Sequence, residues 1–163
     1  MKAQLLALSI ICLTSSAFAA GDVAVDVVLN PMGDFTAKTS DVTGEAVTDG
    51  KTVKADKIVV SLKNLKTGMG LRDTHAKDKY LEVNKYPDAI ITNAKGEGGK
   101  GTGMLKIKGV EKPVTGTYKT DDKMLHAEFP IKLSDFNIKE INYKGVGVED
   151  AVKIKVSVPL KKK

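Results

Sequence analysis

An all-β fold of seven or eight antiparallel strands, closed into a barrel or stacked as a sandwich, with one short helical insertion at about 71–81, is what this 163-residue sequence predicts. Three observations lead there. Apolar residues alternate with polar ones at period two from Val23 almost to the C-terminus, the pattern of strands with one buried face. Turn-forming glycine, proline, asparagine and aspartate interrupt the alternation at short spacing. One long stretch, residues 65–87, departs from it, and there Leu71, Thr74/His75, Asp78 and Leu81 recur at helical spacing.

The first twenty residues stand apart. Lys2 is a positive head, Leu5 to Leu13 an apolar core, and Ala17-Phe18-Ala19 an A-x-A cleavage site. That combination reads as a secretory signal peptide over 1–19, cut after Ala19 or Ala20, and leaves 21–163 as one domain. A periplasmic or secreted protein is expected. The only cysteine, Cys12, leaves with the signal; Ile11 before it is not the small residue that lipoprotein cleavage requires. The mature chain then has no disulfide or thiol chemistry and depends on its hydrophobic core.

Without Lys2 the chain carries 25 basic and 20 acidic residues, a net charge of +5. All the basic residues but Arg72 are lysines, hydrated point charges suited to open surface rather than to bidentate recognition of phosphate or bases. Few aromatics and no tryptophan point the same way, so no nucleic-acid partner is expected. Lys161-Lys162-Lys163 permits at most a weak attraction to an anionic membrane surface.

The elements follow in order. Val23, Val25, Val27 and Leu29 form the first strand, broken by Asn30-Pro31-Met32-Gly33. Phe35 and Ala37 begin a second that continues through Val42, Gly44 and Ala46, and Asp49-Gly50 marks a hairpin. In the third, Val53 and Ala55 share one parity while Ile58, Val60 and Leu62 share the other, which predicts a bulge near Asp56-Lys57. The helical insertion follows, with Leu71 and Leu81 facing inward, and Pro87 returns the chain to sheet. A short strand, Ala89 to Ala94, leads into a flexible loop over Gly96–Gly101, which lacks the ending and the following helix of a phosphate cradle. Leu105 and Ile107 lie on the next strand, and Gly109 to Pro113 turns the chain into Val114–Thr120. Asp121-Asp122-Lys123 turns it into the clearest alternation of all: Leu125, Ala127, Phe129, Ile131 and Leu133. Ser134–Asp150 is irregular, and Val152, Ile154, Val156, Val158 and Leu160 close the chain.

Several motifs, in order, then resemble the YceI-like family. They are Leu65-Lys66-Thr67-Gly68, Arg72-Asp73-x-His75, Tyr80-Leu81-Glu82 and Lys85-Tyr86-Pro87, then Gly103-x-Leu105-x-Ile107-x-Gly109-Val110-x-Lys112-Pro113-Val114. Phe129-x-Ile131-x-Leu133-Ser134-Asp135-Phe136-x-Ile138 and Gly147-Val148-x-Asp150-x-Val152-x-Ile154 complete the series. The resemblance implies an exported, lipocalin-like, eight-stranded antiparallel barrel whose long apolar cavity binds an isoprenoid chain such as a quinone or polyprenyl lipid. The sequence departs from the family in its first two strands, where Val27 to Phe35 lacks the usual histidine and aromatics, and at Lys79-Tyr80-Leu81, where a phenylalanine pair is common. It reads as a divergent branch.

In such a barrel Val25, Val27, Phe35, Ile58, Val60, Leu62, Leu105, Ile107, Phe129, Ile131, Ile154 and Val156 line or fill the interior, with Leu71 and Leu81 at its helical flap. The alternative to a ligand carrier is a filled barrel acting as a structural, interaction or stress-related protein. Arg72 and His75 are the candidate polar contacts at the mouth, where an arginine would orient a phosphate or a quinone carbonyl; the competing role for Arg72 is a salt bridge pinning the flap to the rim. His75 and Asp78 would supply two metal ligands but lack the others zinc needs, since the second histidine, His126, sits outward on a strand. There is no nucleophile elbow and no histidine with an evident serine partner. No metal, cofactor or catalytic residue is expected; the protein reads as a binder, not an enzyme.

Overall fold

The computed structural model describes residues 20–163, so the expected signal segment, 1–19, lies outside the described residues. Alternation builds the wall. β1 (Asp22–Asn30) turns through Pro31–Gly33 into β2 (Asp34–Thr39), pairing Val27 with Phe35 and Val23 with Thr39. β3 (Val42–Thr43), β4 (Ala46–Thr48) and β5 (Thr52–Ser61) follow. At the β4–β5 hairpin Gly50 takes φ +91°, and the Asp49 carboxylate accepts the backbone N–H groups of Thr52 (2.7 Å) and Lys51 (2.9 Å). Those bonds hold its pKa at about 2.

After the flap come β6 (Asp88–Glu97), β7 (Lys100–Ile107), β8 (Val110–Thr120) and β9 (Met124–Lys132) as an antiparallel meander. A 3₁₀ turn (Leu133–Phe136) and a small hairpin, β10 (Asn142–Tyr143) and β11 (Val146–Val148), precede β12 (Ala151–Lys162). β12 closes the ring. It pairs with β9 along Ala151–Pro159, with β1 through Val23↔Val156 and Val25↔Ile154, and with β4 through Leu160↔Ala46. A backbone bridge between Lys38 and Lys66, with bonds of 2.7 and 2.8 Å, ties β2 to the chain after β5. β2, β3 and β4 are therefore one wall strand broken twice. Counted as one, they complete an eight-stranded, lipocalin-like barrel with β1, β5 to β9 and β12.

Several local expectations change. The β12–β4 pairing is parallel, because the broken strand crosses from β1 to the far end of β12. Buried positions on β5 do switch parity, from Val53 and Ala55 to Ile58 and Val60, yet its register with β6 is unbroken. The shift lies one strand over, between Thr92 and Lys95 of β6 against β7, where Asn93 takes φ +52°. The glycine-rich loop is a two-residue turn, Gly98-Gly99, both at positive φ, and Gly96 faces Gly101 within the ladder. Likewise Lys108-Gly109 makes the next turn alone, and Pro113 belongs to β8 opposite Met104. The insertion is a five-residue α-helix, α1 (Gly70–Thr74), running into a π-helical stretch, His75–Tyr80. Leu71 is half-exposed rather than turned fully inward. Among the described residues no helix is long and apolar enough to cross a membrane.

Candidate functional site

The inward faces do not fill the barrel. They enclose a cavity of about 570 Å³, within the range of roughly 300–1,000 Å³ usual for ligand pockets. A filled barrel is thus not what these residues build. Valine, isoleucine and leucine at period two leave the interior wide where large aromatics would have closed it; among the described residues Phe35 and Phe129 are the only phenylalanines on the lining.

The flap is fixed at its start by a buried carboxylate. Asp73 accepts the backbone N–H and the hydroxyl of Thr67, each at 2.6 Å, and both residues are buried. Those bonds, the hydroxyl's foremost, hold the Asp73 carboxyl below its ordinary value. The Asp73 N–H in turn donates to the Met69 carbonyl at 2.9 Å and opens the helix. Asp73 is thereby committed to architecture and does not join Arg72 and His75 in a polar cluster.

Arg72 and His75 both line the mouth. The Arg72 guanidinium lies 4.1 Å from the centre of the Phe35 ring, and among the described residues none of the ion pairs involves it. In place of the expected salt bridge to the rim there is a cation–π contact to β2, and the neighbouring acid of the flap, Asp73, is engaged by Thr67. His75 meets Tyr143 of β10 with ring centres 5.2 Å apart, and the Tyr80 hydroxyl reaches the Asn142 carbonyl at 3.5 Å. The mouth therefore lies between the flap, the β1–β2 turn and the β10–β11 hairpin. Its rim is apolar: Met32 is 84% exposed, and Met69, Leu71, Tyr143 and Val146 are each about half exposed while bordering the cavity.

Val25, Val27, Phe35, Val60, Leu62, Leu105, Ile107, Phe129, Ile131, Ile154 and Val156 line this cavity, with Leu71 and Leu81 at the flap. Ile58 does not. It faces a second space of about 90 Å³ at the opposite end, because the parity switch on β5 carries it past the floor of the main cavity. Sequence reasoning missed Leu29, Met32, Met69 and the stretch Ile138 to Val148. In that stretch Ile141 and Tyr143, then Val146 and Val148, keep period two, a signal masked by the glycines between them.

His126 has partners the sequence did not reveal. Its ring nitrogens lie 3.0 Å from the Ser157 hydroxyl and 3.1 Å from the Asp121 carboxylate. The Lys123 backbone N–H foremost, with His126 and the Met124 N–H, brings Asp121 down to about 2. The connectivity resembles a Ser–His–Asp triad, but Ser157 sits mid-strand between β9 and β1 on the outer wall. Its neighbouring N–H groups belong to the ladder, so no oxyanion hole can form there. The trio is a cross-strand staple. Among the described residues no group of three or more His, Cys, Asp or Glu side chains converges as a metal site.

A closed all-β barrel with a large apolar cavity under a short helical flap is the class these features define. The sequence matches the YceI-like domain over residues 17–160, and the chain belongs to that family. Among solved structures it is similar to BcnA of Burkholderia cenocepacia, at 21% identity and a TM-score of 0.63, covering 83% of this chain and 94% of that one. A polyisoprenoid binding domain from Saccharophagus degradans, implicated in plant cell wall breakdown, aligns at 13% identity and a TM-score of 0.59, over 85% of this chain and 91% of that one. A mutant CJ YCEI protein with a monobromobimane guest gives 21% identity and a TM-score of 0.53, over 76% and 83%. These likenesses establish the fold. No curated protein matches the sequence.

Proposed function

We propose that the protein is an exported carrier that holds one apolar isoprenoid-type lipid, a quinone or polyprenyl chain, inside its barrel and transfers no bonds. The observation that carries this reading is the cavity, walled by aliphatic side chains and bordered by an exposed apolar rim. A cavity of about 150 Å³ takes one benzene ring, so about 570 Å³ suits roughly two dozen carbons, four or five isoprene units. The transfer of apolar carbon from water supplies the affinity, and the methyl-branched chain matches a wall of branched side chains. Arg72, held over Phe35 at the mouth, is the cation that orients a quinone carbonyl or a phosphate head, and His75 borders the same opening. The polyisoprenoid binding domain that shares the fold supports the same use of it. The N-terminal signal pattern supports export, to the periplasm or outside the cell.

The test is mass spectrometry of organic extracts from protein purified from its exported fraction without detergent. A prenyl lipid at near-stoichiometric amount is expected. An empty extract, together with no uptake of added ubiquinone or polyprenol by the purified protein, overturns the reading.

A further inference from the structure

The two internal spaces lie end to end, and a single layer of side chains separates them. Along β9 the inward series runs from Leu125 and Ala127, which line only the small space, through Phe129, which lines both, to Ile131, which lines only the large one. Along β12 the same order is Val158, Val156, Ile154. On β6, Ile91 borders both, with Ala94 on the small side and Ala89 on the large. Three strands thus place Phe129, Val156 and Ile91 at one level of the barrel, opposite the flap. Phe129 is by far the largest of them and is buried.

The wall of the small space, about 90 Å³, includes Ala46, Ala55, Ala94, Gly103 and Gly116, whose small side chains leave it open beside larger neighbours such as Ile58 and Tyr118. Gly116 is there by necessity. A Cβ on it would collide with the Glu128 carbonyl and approach the Phe129 Cβ to 2.6 Å. The glycine lets β8 close onto the backbone and Cβ of Phe129, the side chain that borders both spaces. On the benzene scale about 90 Å³ takes roughly four carbons, close to one isoprene unit. The barrel therefore has room for one more unit than its main cavity, behind an aromatic floor.

We infer that Phe129 is a length-determining residue: its ring is the floor against which the distal end of the bound chain stops, and the alanine- and glycine-lined space behind it is an unused extension of the same site. The inference rests on the lipid-carrier reading. It assigns chain-length preference to one side chain and not to the overall size of the barrel. An isoprenoid of matching length ends at Phe129. A chain one unit longer must leave its surplus at the wet mouth, where those carbons gain nothing. Removing the ring joins the two spaces and shifts the optimum upward by one unit. Each methylene taken from water is worth roughly fourfold in affinity, so sheltering even two further carbons gives on the order of a tenfold gain for the longer chain.

The experiment is competitive uptake from a mixture of farnesol, geranylgeraniol and polyprenols one, two and three isoprene units longer, scored by mass spectrometry on the folded protein. Wild type, Phe129→Ala, Phe129→Leu and the double variant Phe129→Ala with Ala127→Leu are compared. Phe129→Ala is expected to move the preferred length up by one unit with about a tenfold change in the ratio of adjacent lengths, and Phe129→Leu to move it part of the way. Ala127→Leu refills the extension and restores the wild-type optimum. A merely structural role for Phe129 lowers the melting temperature of all three variants without moving the optimum. An unchanged optimum in a folded Phe129→Ala or Phe129→Leu protein that still binds overturns the inference and leaves the carrier reading standing. Failure of wild type to take up any chain overturns both.

Discussion

Replacing Asp73 by alanine should release the flap while leaving the barrel closed. The carboxylate accepts two short bonds from Thr67, both 2.6 Å, in a buried setting. A hydrogen bond to a charged group contributes about 1.5–3 kcal/mol, and the alanine variant leaves the Thr67 N–H and hydroxyl without that acceptor. Once the flap opens, water replaces part of the loss, so a net cost near 3 kcal/mol is expected, confined to the segment those bonds anchor. Hydrogen exchange reads this directly. Amides from Met69 to Leu81 should lose on the order of 100-fold in protection, while those of β9 and β12 change far less. Acidity supplies a second readout. The Asp73 carboxyl titrates below its ordinary value of 3.8, so its contribution is complete above about pH 4 and fades as the pH falls through the lower folded value. Intrinsic-rate-corrected exchange in the flap should therefore quicken below about pH 4 in wild type and show no such step in Asp73→Asn. Unchanged flap protection in Asp73→Ala, or an equal loss throughout the barrel, would refute the idea that this carboxylate is a local anchor.

Other substitutions probe the wall, the cavity and the mouth. Gly116→Ala should destabilise by about 2–3 kcal/mol or more, read from denaturant midpoints, since its Cβ meets backbone that cannot yield. Ile107→Phe points into open cavity space, so its unfolding free energy should stay within about 1 kcal/mol of wild type while lipid uptake falls at least tenfold. Arg72→Ala should cost about 1–2 kcal/mol in stability, the worth of a half-buried cation–π contact, yet weaken retention of polyprenyl phosphate more than that of the parent alcohol. Equal losses for phosphate and alcohol would remove Arg72 from headgroup recognition.

Much of the fold was legible because alternation is a direct imprint of a one-sided sheet. Val23 to Val27, Leu125 to Ile131 and Val152 to Val158 point inward at period two, and their side chains do line the interior. The hairpin at Asp49-Gly50 was legible because its chemistry is local: one positive φ and one side-chain acceptor. Gly96 to Gly101 was misread because glycines carry no alternation. Gly96 is in the ladder to make room for the Tyr118 ring, a partner more than twenty positions away. The parallel join of Ala46 to Leu160 depends on the path of the whole chain and leaves no local trace. The partner of Arg72 was equally hidden. Acids are abundant near it in sequence, but the tertiary fold brings the face of Phe35 instead. Whether inward residues fill a barrel or hollow it is a question of summed volume, which period-two pattern does not encode.

The central claim is that one apolar chain occupies the cavity between the flap and Phe129. Native mass spectrometry of the intact protein, incubated with a polyprenol and freed of excess lipid, tests it most directly when wild type and Ile107→Phe are run side by side. A single lipid adduct per wild-type chain, lost in a folded Ile107→Phe variant, is the predicted result. No adduct in wild type, or an equal adduct in both, would contradict the account.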